Sequence, residues 1–183
     1  NIKQNYKQIN LLSDDQAKFI HFTHRAKLGI AESKNGNMWF GSNGGFWQFE
    51  RKENRFTFIQ GDYDLGAVKT VFEDSEGKLW IGCSRGLARY NPQTEKFAIF
   101  NETCTFPFYD VYGILEDNHK NLWISTSNGF VKFVNAVQSI EKPQFQELRL
   151  VDGIQSRQFN ANAYYKSPRG EMYFGGNNGF NVF

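Results

Sequence analysis

Short apolar runs alternate with polar turns along most of this chain, and the alternation itself repeats. Residues 77–90 read GKLWIGCSRGLARY, an apolar run centred on Trp80, a small polar turn and a second apolar run. The same pattern stands around Trp39, Trp123 and Tyr173, at intervals of 41, 43 and 50 residues. A glycine follows each central aromatic by six positions, and another aromatic follows it by ten. The stretch is therefore a unit that occurs four times.

Each unit translates into short strands. First strands are predicted at Ile30–Ser33, Thr70–Glu73, Tyr112–Glu116 and Ala163–Lys166, each followed by a turn that Asp and Gly side chains favour. A strand through the central aromatic and a third strand to the +10 aromatic follow. Fourth strands are predicted at Arg55–Ile59, Lys96–Phe100 and Gln144–Leu150. Four antiparallel strands recurring at this period predict an all-β fold, a β-propeller of about four four-stranded blades.

The repeats are expected at about residues 29–60, 67–101, 111–150 and 159–183. Residues 1–28 are predicted to hold a connection and, at 5–10, the fourth strand of a preceding or ring-closing blade. The last unit stops at Phe183, after its third strand. Four blades are the lower limit for a closed propeller, so a small closed ring and an open arc of a larger ring both fit.

The composition is typical of a β-strand protein, and it argues against a membrane-spanning segment and a nucleic-acid-binding surface. Aromatic residues make up 17% of the chain, and they favour pleated, packed surfaces. No apolar run is long enough to span a membrane, and the scattered Lys and Arg (net charge +2) form no basic face for nucleic acid. The chain starts at Asn1 without a leader, so we expect an excised or processed piece. Cys83 and Cys104 could form one disulfide or remain two buried thiols.

The stretch EDSEGKLWIGCSRGLARY (73–90) resembles the two-component regulator propeller repeat, with its Asp, Gly, apolar–Trp pair, Gly-Ser or Gly-Thr and Gly-Leu pair. Here Cys83 stands between Gly82 and Ser84. The stretches DGIQSRQFN (152–160) and GEMYFGGNNGFNVF (170–183) resemble the last blade of such sensors. The resemblance covers about residues 29–183.

This resemblance implies the periplasmic sensing part of a hybrid two-component system histidine kinase, found especially in gut Bacteroidetes. Many such sensors respond to oligosaccharides, and their propellers are non-catalytic and need no cofactor. The family normally has two propellers of about seven blades, so four units imply the C-terminal part of the second. The implied partners are an oligosaccharide or other small ligand and the rest of the kinase chain. A homodimer is also possible if the blades form an open arc.

The repeat separates structural residues from candidate site residues. Trp39, Trp80 and Trp123 share one repeat position and are predicted to lie in the core between blades, and Trp47 is expected to pack within it. The carboxylates at 73, 74, 116 and 117 recur before a turn, which predicts turn stabilisation rather than an acid–base pair. His21 and His24 lack further ligands at metal-site spacing, so no metal site is predicted.

Ligand recognition is expected at the loops that converge on one mouth of the propeller. The turns before the +6 glycine and the connections between blades supply amide, guanidinium and phenol groups suited to sugars. The candidate ligand-binding residues are Asn43, Arg85, Asn128, Asn178, Tyr109, Arg157 and Asn160. The alternative interpretation is that asparagine simply tolerates a left-handed turn conformation.

The leading functional hypothesis is an extracytoplasmic, oligosaccharide-sensing propeller fragment that signals to a histidine kinase. One alternative is a propeller enzyme resembling streptogramin lyases, which would need a histidine and acidic cluster in the channel. A second alternative is a protein–protein scaffold without a small ligand.

Overall fold

The computed structural model describes residues 29–100, 110–138 and 140–183. Its strands run in chain order as four antiparallel sheets, which we name blades 1 to 4. Blade 1 contains β1 (Ile30–Glu32), β2 (Met38–Gly41), β3 (Phe46–Glu50) and β4 (Arg55–Ile59); blade 2 contains β5 (Val68–Glu73), β6 (Leu79–Cys83), β7 (Gly86–Asn91) and β8 (Lys96–Phe100). Blade 3 contains β9 (Val111–Glu116), β10 (Leu122–Thr126), β11 (Gly129–Val134) and β12 (Gln144–Leu148); blade 4 contains β13 (Phe159–Lys166), β14 (Met172–Gly176) and β15 (Gly179–Val182). The predicted all-β propeller is confirmed.

The strand limits agree with the predicted ones to within two residues, except at the start of β13. β4 and β8 begin and end at the predicted residues, but β12 ends at Leu148 because the chain enters a 3₁₀ turn at Leu150–Asp152. β13 begins at Phe159, four residues before the predicted start. Its pairing with β14 shifts register after Phe159, and Asn162 there has a φ of 61°, so a bulge interrupts the alternation on which the prediction relied. The strand predicted at 5–10 lies outside the described residues.

An apolar layer fills the space between each pair of successive blades. Between blades 1 and 2 it contains Phe46, Leu65, Val68 and Ile81; between blades 2 and 3, Leu87, Phe100, Ile114 and Phe133; between blades 3 and 4, Leu115, Phe159, Met172 and Phe174. Both faces of β6 and β10 meet such a layer, which is why these strands read as nearly continuous apolar runs. Each blade therefore buries its apolar side chains against the neighbouring blade.

The central tryptophans occupy these layers, as predicted. The Trp80 ring of blade 2 is fully buried and lies 5.7 Å from the Phe133 ring of blade 3. The Trp123 ring of blade 3 lies 4.6 Å from the Phe183 ring, beyond the last strand of blade 4. Tyr173 takes the same position in blade 4 and is half-buried. The repeated aromatic is thus the contact between one blade and the next.

The outer faces of the first and last blades carry exposed apolar side chains. Ile30 of blade 1 is 63% exposed, and Phe180 of blade 4 is 65% exposed. The apolar layers of the described residues join blades 1 to 2, 2 to 3 and 3 to 4. Ring closure through the strand at 5–10 stays a prediction, as does the open arc.

Candidate functional site on the loop face

The two ends of the blades form two different surfaces. The turn face holds the turns that join first to second strands in each blade and, in blades 1 to 3, those that join third to fourth strands. The loop face holds the turns that join second to third strands, together with the connections between blades. On the loop face, backbone bonds such as Ser84 N to Ala67 O and Ser127 N to Asp110 O tie each turn to a connection. Of the predicted site residues, Asn43, Arg85, Asn128, Arg157 and Asn178 fall on this face.

On the turn face, the Asp74 carboxylate is completely buried and holds the turn after β5. It accepts hydrogen bonds from the backbone N–H groups of Glu76 and Lys78, each at 2.9 Å. Its second oxygen accepts the Trp80 indole N–H at 2.8 Å. The carboxylate therefore fixes both the turn and the central tryptophan, as expected from its position in the repeat.

Asp117 repeats this arrangement in blade 3, and its pKa reflects it. Burial raises the pKa of Asp117, but hydrogen bonds from the Trp123 indole, the Asn121 side chain and backbone, and the His119 N–H outweigh burial. The net pKa lies below the ordinary value of 3.8. In blade 1, Ser33 Oγ accepts the Trp39 indole N–H at 2.8 Å in place of a carboxylate.

The preceding glutamates link successive blades. Glu116 of blade 3 accepts hydrogen bonds from the N–H and hydroxyl of Ser75 in blade 2, at 2.7 and 2.6 Å. Glu73 of blade 2 likewise accepts the hydroxyl of Ser33 in blade 1. These carboxylates therefore act in turns and between blades, which leaves none of the four free as an acid–base pair.

One group of candidate residues on the loop face is already paired. Arg85 and Asp64 form an ion pair at 2.8 Å, and both side chains are largely exposed. The other carboxylate oxygen of Asp64 accepts the Gly66 N–H at 2.9 Å. Asn43 of blade 1 forms an isolated bridge with Ala67 in the same connection. Asn43 and Arg85 are thus brought to one place, but the Arg85 guanidinium is occupied.

A second group lines a cavity of about 70 Å³ between blade 3 and the connection to blade 4. Asn128, on the turn before β11, and Arg157, before β13, both line it. Arg149 and Glu147, at the end of β12, line it too. The structure therefore brings together Asn128 and Arg157, which lie 29 positions apart in the sequence.

The connection that carries Arg157 is firmly held. Ile154 is buried in the layer between blades 3 and 4, and Gln155 Oε1 accepts the Asn178 N–H at 2.9 Å. The backbone N–H of Asn178, in the turn before β15, therefore ties this connection to blade 4. Asn160 is exposed on β13, and Tyr109 lies outside the described residues.

Sequence reasoning missed Arg149 and an ion pair between the first strand of blade 2 and the residue before the first strand of blade 3. Arg149 follows β12 in a segment predicted to be strand, so its place at the loop face could be seen only once β12 was known to end at Leu148. Lys69 of β5 forms an ion pair with Asp110 and lies 5.0 Å from the centroid of the Tyr112 ring. The sequence signal for this ion pair was a lysine on the first strand of blade 2, Lys69, and an aspartate just before the first strand of blade 3, Asp110.

Metal-ligating and nucleophilic groups add little to the site. Within the described ranges, no three His, Cys, Asp or Glu side chains are grouped so as to hold a metal ion. Cys83 is a buried thiol whose pKa burial raises to about 11, so it stays protonated at neutral pH. Cys104, His21 and His24 lie outside the described residues. No helix in the described part is long and apolar enough to cross a membrane.

The sequence model of the two-component regulator propeller matches residues 63–85 and 105–128, around the second and third repeats. These two segments are therefore similar to the two-component regulator propeller repeat. The chain is also similar to histidine kinase P4 of Formosa agariphila, with 30% identity over 204 aligned residues. The match covers 80% of this chain and 14% of that kinase.

Solved structures share the propeller fold. The extracellular domain of one hybrid two-component system of B. thetaiotaomicron matches 85% of this chain with a TM-score of 0.72 and 21% identity, over 21% of that domain. A virginiamycin B lyase from Staphylococcus aureus matches the same share with a TM-score of 0.61 and 14% identity, over 54% of its chain. This chain thus spans a small part of the kinase and about a fifth of that extracellular domain.

Proposed function

We propose that this chain is part of the extracytoplasmic sensor of a hybrid two-component system, and that its loop face recognises an oligosaccharide. The observation that carries the proposal is the division of polar groups between the faces. Carboxylates of the turn face are held in fixed contacts, whereas the loop face presents amide and guanidinium groups at positions that differ from blade to blade. Such groups hydrogen-bond sugar hydroxyls and carboxylates.

Ligand binding in this role is non-catalytic, and the signal passes to a histidine kinase. Two features support that role: the repeat itself and the relationship to histidine kinase P4. The partner is the remainder of the kinase chain, and the location is periplasmic.

A thermal-unfolding screen of the 183-residue chain against neutral and acidic oligosaccharides tests the proposal. A ligand present at 100 times its Kd stabilises by about 2.7 kcal/mol, which raises the Tm by roughly 5–10 °C for a chain of this size. At least one oligosaccharide should give such a shift without being consumed. Consumption of the sugar would instead establish an enzyme, and a flat response to the whole panel would leave the scaffold alternative.

A further inference from the structure

Two arginines at the cavity between blades 3 and 4 differ from every other basic group of the loop face described above. Arg85 is neutralised by Asp64, and Lys69 by Asp110. The guanidinium groups of Arg149 and Arg157, by contrast, have no hydrogen bond or ion pair to another described residue. Both nevertheless line the same cavity. We propose that this cavity binds the carboxylate or sulfate group of an acidic sugar.

The charges of the cavity favour an anion. Its charged lining residues are Arg149, Arg157 and Glu147, which leaves a net positive charge. A guanidinium presents several N–H donors in a planar fork, so two of them match the oxygens of a carboxylate or sulfate. The Asn128 amide and the Glu147 carboxylate then remain for hydroxyl groups on the sugar ring.

The size of the cavity fits a substituent rather than a whole sugar. About 70 Å³ is room for a few water molecules, which a carboxylate or sulfate can displace. The sugar ring would then lie outside, against the exposed loop face. A charged substituent therefore sets the position of the ligand, and the ring makes the weaker contacts.

The cavity is held in shape by both blades. Blade 3 contributes the paired strands β11 and β12, in which Phe130 stands opposite Leu148. The connection on the other side is anchored by buried Ile154 and by hydrogen bonds from Gln155 N to Asn181 Oδ1 (2.9 Å) and from Asn181 Nδ2 to Gly153 O (3.0 Å). A ligand that bridges Arg149 and Arg157 would therefore join blade 3 to the connection into blade 4.

The inference rests on the proposed function but is tested separately from it. Calorimetric titration of the 183-residue chain would use a galacturonate trisaccharide, its methyl ester, a galactose trisaccharide, galactose 6-sulfate and inorganic sulfate. The galacturonate trisaccharide should bind at least about tenfold more tightly than its methyl ester, because only the acid offers charged oxygens to the guanidinium groups. Tight binding of galactose 6-sulfate as well would assign a sulfated sugar to the same site.

Three variants locate the binding. Arg157→Gln and Arg149→Gln should each weaken galacturonate binding about tenfold or more, whereas Arg169→Gln, which changes an exposed arginine of the turn face, should leave it unchanged. Circular dichroism and the Tm confirm that each variant is folded. A loss of the same size in Arg169→Gln would show general attraction to charge and overturn the assignment.

The remaining outcomes separate the two proposals. If neutral sugars bind and the acids bind no better, the sensor proposal stands and the acidic-sugar site is wrong. If inorganic sulfate binds as tightly as the sugar acids, the cavity holds a simple anion and the sugar assignment is wrong. If no sugar binds, both proposals fail.

Discussion

The turn face and the loop face come from the same repeats, yet they use polar groups in opposite ways. On the turn face, Asp74 and Asp117 accept the indole N–H of their own tryptophan, and Glu116 accepts two hydrogen bonds from Ser75 of the preceding blade. On the loop face, Arg149 and Arg157 have no such partner among the described residues. A polar residue that recurs in the repeat therefore stabilises blades, whereas Arg149 and Arg157, which do not recur, keep their guanidinium groups available to a ligand.

The largest loss of stability is expected when the central aromatic of blade 2 is removed. Trp80→Ala should lower the free energy of unfolding by about 3–5 kcal/mol, because a fully buried ring leaves a cavity between blades 2 and 3 and Asp74 loses its indole donor. Urea denaturation followed by fluorescence of the remaining tryptophans measures this change.

Phe180→Ala is the control for that substitution, because this ring also stands at a repeated apolar position, seven after the central aromatic of blade 4, but is exposed. It should change stability by no more than about 0.5 kcal/mol. A loss comparable to that of Trp80→Ala would mean that the outer face of blade 4 is covered in solution.

The next effect tests whether the turn face depends on its carboxylates. Asp74→Ala should destabilise the chain by about 2–3 kcal/mol, since it leaves the buried Trp80 N–H and two turn N–H groups without their acceptor. Asp64→Ala, on the loop face, should cost less than about 1 kcal/mol because it removes only an exposed ion pair and one local bond. Urea denaturation of both variants compares the faces directly, and equal losses would contradict the division between them.

The blades could be predicted from sequence because inter-blade packing imposes the same residue types on every unit. Trp39, Trp80 and Trp123 lie in the layers between blades, as this pattern predicts, and β4 and β8 have their predicted limits. The errors in β12 and β13 fall where a blade departs from the pattern. A bulge at Asn162 places the start of β13 earlier, and a 3₁₀ turn at Leu150 ends β12 sooner.

The pH dependence of stability tests whether the Asp117 carboxylate of the turn face stabilises the folded chain. The pKa of Asp117 is lowered in the folded state, so its contribution to stability is present above the unfolded value of 3.8 and is lost as the pH falls through the lower folded pKa. Urea denaturation between pH 5 and pH 2 should therefore show stability decreasing below about pH 4. In Asp117→Asn this decrease should be smaller. An identical acid profile would show that Asp117 makes no such contribution.

The smallest effect is expected for the paired arginine of the loop face. Arg85→Gln should change the free energy of unfolding by about 0–0.5 kcal/mol, because the ion pair with Asp64 is exposed and screened by solvent. The Tm of this variant, measured by differential scanning calorimetry, should lie within about 2 °C of the parent. A larger decrease would mean that the loop face also stabilises the blades.

The candidate site could be predicted only in part, because loop geometry is not imposed by the repeat. The sequence predicts a site on the loop face that includes Asn128 and Arg157, and the structure places these two residues at one cavity. Sequence reasoning could not tell that Arg85 would be paired with Asp64, nor that Arg149 would reach the cavity. Pairing and cavity shape depend on distances between segments that are remote in sequence, and no periodic signal reports them.

The most direct test of the account is thermal unfolding of Asp74→Ala and Arg157→Gln, each with and without the galacturonate trisaccharide. We expect Asp74→Ala to have a Tm roughly 5–10 °C below that of the parent chain but to keep the full increase on adding the sugar. Arg157→Gln should have the parent Tm without sugar and lose most of the increase. The account would be contradicted if Arg157→Gln lowered the Tm of the free chain as much as Asp74→Ala, or if it kept the increase caused by the sugar.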